Sequence, residues 1–177
     1  TEDESLYCLN NFPEPITING GVVGDIPNNY YYNWSTGETT IEIEVNEPGT
    51  YTVEVSNVAG CSKTRTIVVN ASDIATINDI EVTDAVENNT VTVLLAPAVG
   101  IADYEFSLDD PNGAYQDSNV FENVRPGIYT VFVRDKNGCG ISEEMLSVVG
   151  FPRFFTPNGD NQNEYWQVKG ISSQFQP

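Results

Sequence analysis

The block Pro48-Gly49-Thr50-Tyr51-Thr52-Val53-Glu54-Val55 returns 78 residues later (48 to 126) as Pro126-Gly127-Ile128-Tyr129-Thr130-Val131-Phe132-Val133. The correspondence runs on without a gap to Gly60-Cys61-Ser62 and Gly138-Cys139-Gly140. A repeat of this kind means that one structural unit is used twice, each copy burying an apolar face of its own. Upstream, Tyr32-Asn33-Trp34-Ser35 answers Tyr104-Glu105-Phe106-Ser107. There 16 residues separate Tyr32 from Pro48 and 22 separate Tyr104 from Pro126, so the second copy has the longer connection, around Asp109 to Ser118.

Inside each copy the apolar residues alternate with polar ones. Ile41, Ile43 and Val45 alternate with Thr40, Glu42 and Glu44, and Tyr51, Val53 and Val55 with Thr52 and Glu54. Val91, Val93 and Leu95, then Tyr104, Phe106 and Leu108, then Tyr129, Val131 and Val133, do the same. A period of two puts one face in a core and the other in water, as in antiparallel sheets that pack face to face. Turn clusters such as Glu47-Pro48-Gly49, Asp110-Pro111-Asn112-Gly113 and Asp135-Lys136-Asn137-Gly138 separate the strands. The fold class predicted is all-β: two β-sandwiches in tandem over 1–74 and 75–149, with a linker near 73–78. Residues 150–177 change texture and are too few to bury a core alone, so they pack on the second copy, belong to an incomplete third β domain or require a partner. Trp34 and Phe106 are expected to be buried at equivalent positions, and so are Tyr51 and Tyr129.

Charge and composition exclude several functions. The chain of 177 residues has 26 acidic and 7 basic residues, a formal charge of −19. Such a surface cannot replace the counterions of nucleic acid, nor be drawn to an anionic membrane. No histidine is present, which removes Ser-His and Cys-His nucleophiles and every His-ligated metal. No run of 18 apolar residues offers a membrane span. Thr1-Glu2-Asp3-Glu4 is acidic and polar, unlike a signal peptide, so the chain reads as a mature protein or a piece of a longer one.

The stretch Phe151-Pro152-Arg153-Phe154-Phe155-Thr156-Pro157-Asn158-Gly159-Asp160, followed by Trp166 and Lys169-Gly170-Ile171, resembles the opening of the gliding-motility-associated C-terminal domain, the type B sorting domain of type IX secretion cargo. The family's loop usually reads PNGDGxND; here Asn161 replaces the second Gly and Glu164 the final Asp. Tyr129-Thr130-Val131 through Asp135-Lys136-Asn137-Gly138-Cys139-Gly140 is similar to the sandwich that precedes that domain. Trp34-Ser35-Thr36-Gly37-Glu38-Thr39-Thr40 with Gly49-Thr50-Tyr51 is similar to PKD- or Ig-like modules. The resemblance implies the C-terminal part of an exported protein at the cell surface or secreted, an adhesin or gliding-motility protein. Its partners would be the type IX translocon or associated outer-membrane components. Phe151, Pro152, Phe154, Phe155, Thr156, Pro157, Asn158, Gly159, Asp160 and Trp166 would carry the sorting signal.

Candidate sites each have a plainer alternative. Asn158, Asp160, Asn163 and Glu164 are oxygen-rich and could hold calcium, or form a turn between strands. Asp109, Asp110 and Asp117 could be neutralised by an ion or could start turns. Tyr30, Tyr31, Tyr32 and Trp34 could form a stacking platform for sugar; the plainer reading is core, since the rings of Tyr30, Tyr32 and Trp34 share one strand face. Tyr31 lies on the opposite face and is the one that could meet a ligand such as surface polysaccharide or protein. In an exported protein a Cys8–Cys61 disulfide would close a loop of 53 residues (8 to 61) and contribute about 4 kcal/mol; the alternative is two buried thiols, and Cys139 is left without a role. No catalytic set stands out. The function expected is a non-enzymatic stalk and export segment. The competing readings are a carbohydrate- or protein-binding adhesion module and the non-catalytic part of a secreted hydrolase.

Overall fold

The computed structural model describes residues 2–151, 157, 159 and 168–170. The fold is all-β, with two single-turn 3-10 helices, Leu9–Asn11 and Pro27–Asn29. The chain divides into two compact units, one of residues 1–73 with 99–102 and one of 74–98 with 103–177. The short stretch 99–102 joins the first unit, where the Ile101 amide donates to the Ala71 carbonyl at 2.8 Å.

In the first unit, β1 (Glu2–Cys8), β6 (Ser62–Ser72), β5 (Gly49–Asn57) and β3 (Tyr30–Trp34) form one sheet in that order. Strands β2 (Ile16–Asn19) and β4 (Glu42–Val45) form a second. The alternation does what it predicts: Ile43 and Val45 are buried while Glu42 and Glu44 are exposed. Tyr7, Ile18, Tyr32, Trp34, Ile43, Val45, Val53, Ile67 and Val69 make one core that draws on all six strands. In the second unit, β10 (Val120–Glu122), β8 (Thr90–Leu95) and β7 (Ile77–Thr83) form one sheet. Strands β12 (Ile141–Val148), β11 (Gly127–Asp135) and β9 (Tyr104–Leu108) form the other. Val91, Val93, Phe106, Val131, Val133, Leu146 and Val148 anchor this core.

The repeat is real but its first strand is offset by two residues. Trp34 and Phe106 are both buried, yet Trp34 pairs with Val53 while Phe106 pairs with Val133, the counterpart of Val55. The counterpart of Phe106 is therefore Tyr32, and that of Trp34 is Leu108. A shift of two residues keeps every side chain on its face, so alternation is blind to it. Tyr51 and Tyr129 are equivalent but only half-buried. Each ring packs against its core while its hydroxyl turns back to the carbonyl four residues earlier, Glu47 and Arg125, both at 2.8 Å.

The cysteine expectation is overturned. Cys61 is a free, exposed thiol, and Cys8 and Cys139 are the bonded pair. The parallel pairing of β1 with β6 explains why. It sets Cys8 opposite Ser72, at the far end of β6. Cys61 immediately precedes Ser62, at the near end. Ten residue steps of extended chain separate those ends by about 33 Å, several times the span of a disulfide.

Candidate functional site

Of the residues resembling a sorting signal, Pro152, Phe154, Phe155, Thr156, Asn158, Asp160 and Trp166 lie outside the described residues, as do Asn163 and Glu164 of the suggested calcium loop. Phe151, Pro157 and Gly159 are described and exposed, and Gly159 takes φ +80°. The chain leaves β12 under control: the Val149 amide donates to Asp84 Oδ2 at 2.7 Å, and the Ala85 amide to the Val149 carbonyl at 3.0 Å. Lys169 then pairs with Gly150 by two backbone hydrogen bonds, and Ser147 Oγ donates to the Gly170 carbonyl.

The acids of the long connection in the second unit are engaged. Asp110 Oδ1 accepts the Asn112 amide at 2.8 Å and so caps its own turn. Asp109 turns the chain at φ +72°, its amide donating to the Thr130 carbonyl at 2.7 Å. Lys136 Nζ sits between Asp117 (2.7 Å) and Asp103 (3.0 Å) and neutralises them with a side-chain cation. Hydrogen bonds to Asp117 and then Asp103 raise the Lys136 pKa above its ordinary value. Arg134 pairs with Glu105 and lies over the Tyr115 ring, 3.9 Å from its centre. Among the described residues no three His, Cys, Asp or Glu side chains converge to hold a metal.

A second set of polar residues went unnoticed in the sequence although the repeat contains it. Asn57 and Asp135 correspond, and each caps its hairpin turn. Asn57 Oδ1 accepts the amides of Ala59 and Cys61, both at 3.0 Å. Asp135 accepts those of Asn137 (3.3 Å) and Cys139 (3.2 Å). The turn itself is the same, with Gly60 and Gly138 bonding back to Asn57 and Asp135. Then the second copy inserts Gly140, at φ +139°. That one residue separates Cys139 from the β12 ladder, and Cys139 is buried where Cys61 is exposed.

Tyr31 is where the alternation puts it. It lies on β3, the edge of its sheet, with Tyr32 and Trp34 pointing into the core and its own ring 65% exposed. Beside it is a hollow of about 410 Å³ lined by Asn28, Asn29, Tyr30, Tyr31, Asn57 and Val58. Tyr30 is held by a hydrogen bond from its hydroxyl to Asp25 Oδ2 at 2.7 Å, which lowers the pKa of Asp25 and raises that of Tyr30. Asn28 and Asn29 belong to the 3-10 turn that precedes β3, and Asn57 and Val58 to the β5–β6 turn. The elements that terminate two neighbouring strands thus build the hollow's walls.

No protein-family model matches the sequence, and no curated protein matches it. Solved structures do. Murine CEACAM1b aligns with a TM-score of 0.50 at 11% identity, over 84% of this chain and 98% of that one. The CD2-binding domain of CD58 aligns at 0.46 and 10% identity, over 84% and 98%. A three-Ig titin structure aligns at 0.41 and 15% identity, over 88% and 65%. The first of these likenesses shows a shared fold, the Ig-like β-sandwich.

Proposed function

We propose that this chain is a non-catalytic stalk and export segment of a secreted, surface-attached protein. Its Ig-like units act as spacers, and residues 150–177 act as the start of a type IX sorting signal. The observation that carries the reading is the Cys8–Cys139 disulfide in an Ig-like all-β chain, because such bonds persist in oxidising compartments outside the cytosol. Two features of the chain support the spacer role. The polar residues that the repeat shares, Asn57 with Asp135 and Tyr51 with Tyr129, hold turns and strand ends. The carboxylates of the long connection hold turns or pair with Lys136. The motif from Phe151 to Trp166 supports the export role through its resemblance to the sorting domain. A reporter fused to the second unit plus the complete natural C-terminus should reach the cell surface, and the same fusion cut after Val149 should stay behind the outer membrane. Equal export of the two would remove the sorting role.

A further inference from the structure

We propose that the Tyr31 hollow of the first unit binds neutral carbohydrate, a function separate from the spacer reading and independent of it. The hollow's chemistry selects the ligand class. All six lining residues are uncharged, and no residue from Ile26 to Gly37 carries a charge, in a chain with 33 charged side chains (26 acidic, 7 basic). The lining itself presents neither carboxylate nor cation; the Asp25 carboxylate beside it is taken up by the Tyr30 hydroxyl, and an anionic ligand also meets the field of a chain at −19. What the hollow offers is an exposed ring, an apolar rim at Val58, which is 84% exposed, and side-chain amides. That combination matches a sugar, whose C–H face lies on an aromatic ring while its hydroxyls exchange hydrogen bonds with amides.

One polar group of the hollow, the Asn57 amide, is oriented by the fold. Asn57 Oδ1 is committed to the amides of Ala59 and Cys61. The other end of that amide, Nδ2, is thereby directed away from the turn with two N–H donors, which have no partner among the described residues. The Tyr31 hydroxyl and the side-chain amides of Asn28 and Asn29 likewise make no hydrogen bond among the described residues. Tyr30, whose hydroxyl donates to Asp25 Oδ2, forms one wall. A hollow of about 410 Å³ lies in the range of small-molecule sites, which runs from about 300 to 1,000 Å³. The second copy lacks the donor, since Asp135 replaces Asn57 and is buried at 1% exposure. The site therefore belongs to the first unit alone.

The test is a titration of the isotope-labelled full chain, followed by amide and side-chain NMR shifts. The probes are cellotetraose, laminaritetraose and mannotetraose, with tetragalacturonate as the acidic comparator. Saturable shifts at Asn28, Asn29, Tyr31 and Asn57 with at least one neutral tetrasaccharide, and none there with tetragalacturonate, are expected. Tyr31→Ala should weaken binding at least about tenfold, whereas Tyr31→Phe keeps the ring and most of the affinity. Asn57→Asp keeps the turn cap, as the second copy does with Asp135, but loses the donor and should cost about fivefold. Both positions are at the surface, and unchanged thermal unfolding verifies that the variants fold. Three results would overturn the proposal. One is the absence of saturable shifts in the hollow with all three neutral probes. Another is binding that Tyr31→Ala leaves intact. The third is concentration-dependent, sugar-insensitive broadening of β3 signals, which would mean that the edge pairs with a second copy.

Discussion

Asn57 and Asp135 show how the two copies of one unit can diverge at a single atom. Both accept the amide two residues on and the amide four residues on. Asp135 does so at 1% exposure and also receives the Asp103 amide at 3.3 Å and the Asn137 side-chain amide at 3.1 Å. A buried acceptor that satisfies this many donors is costly to delete, because the donors are left without water. Asp135→Ala should therefore destabilise the second unit by about 2–3 kcal/mol, read from denaturant unfolding. Asp135→Asn should cost less than Asp135→Ala but still destabilise, because both carboxylate oxygens accept here, Oδ1 from Asn137 and Asp103 and Oδ2 from Cys139, and an amide keeps only one of them. Equal losses for the two variants would show that the charge, not the cap, is what the position needs.

Strands and their edges tell how far sequence reasoning reaches. The alternation of Ile43 with Glu42 and Glu44, or of Val53 with Thr52 and Glu54, is sufficient to find the elements and their inward faces. It also places Tyr31 outside and Tyr32 and Trp34 inside. It could not reveal the two-residue offset between Trp34 and Phe106, because period two is unchanged by it. Nor could it reveal that β1 runs parallel to β6, and the wrong disulfide follows from that one unknown. The hollow was half legible: Tyr31 declares itself by parity, whereas Asn28, Asn29 and Asn57 reach it only through turns that end different strands. Packing at the end of β2 gives a sharp test of the core. A Cβ on Gly20 would lie 2.7 Å from Trp34 Cζ2 and 3.0 Å from Val53 Cγ1, while one on Gly49 would meet nothing nearer than 3.8 Å. Gly20→Ala should cost about 1–3 kcal/mol through overpacking. Gly49→Ala should stay within about 0.5 kcal/mol of the parent. Calorimetry on the two variants distinguishes them, and comparable melting temperatures would contradict the packing described around Trp34.

For the whole molecule the disulfide matters most. It spans 131 positions (8 to 139), and a loop of that size stabilises by about 5 kcal/mol in the chain-entropy model. A non-reduced digest should yield one peptide pair containing Cys8 and Cys139, with Cys61 recovered alkylated. A Cys8–Cys61 pair, or three alkylated thiols from oxidised protein, would refute the bond. Tension gives the bond a further meaning. When the two ends of this chain are pulled apart, the load passes from Cys8 through the sulfurs to Cys139 and never enters residues 9–138. Both hairpin turns and most of both cores lie in that bypassed stretch, so they can stay folded under a force that would otherwise unravel them. Strands β1 (Glu2–Cys8) and β12 (Ile141–Val148) lie outside the bypass and stay in the loaded path. Reduction would release about 440 Å of extendable chain, and pulling single molecules with and without reductant would show that difference as added length. A thiol–disulfide equilibrium thus sets the length of the tether.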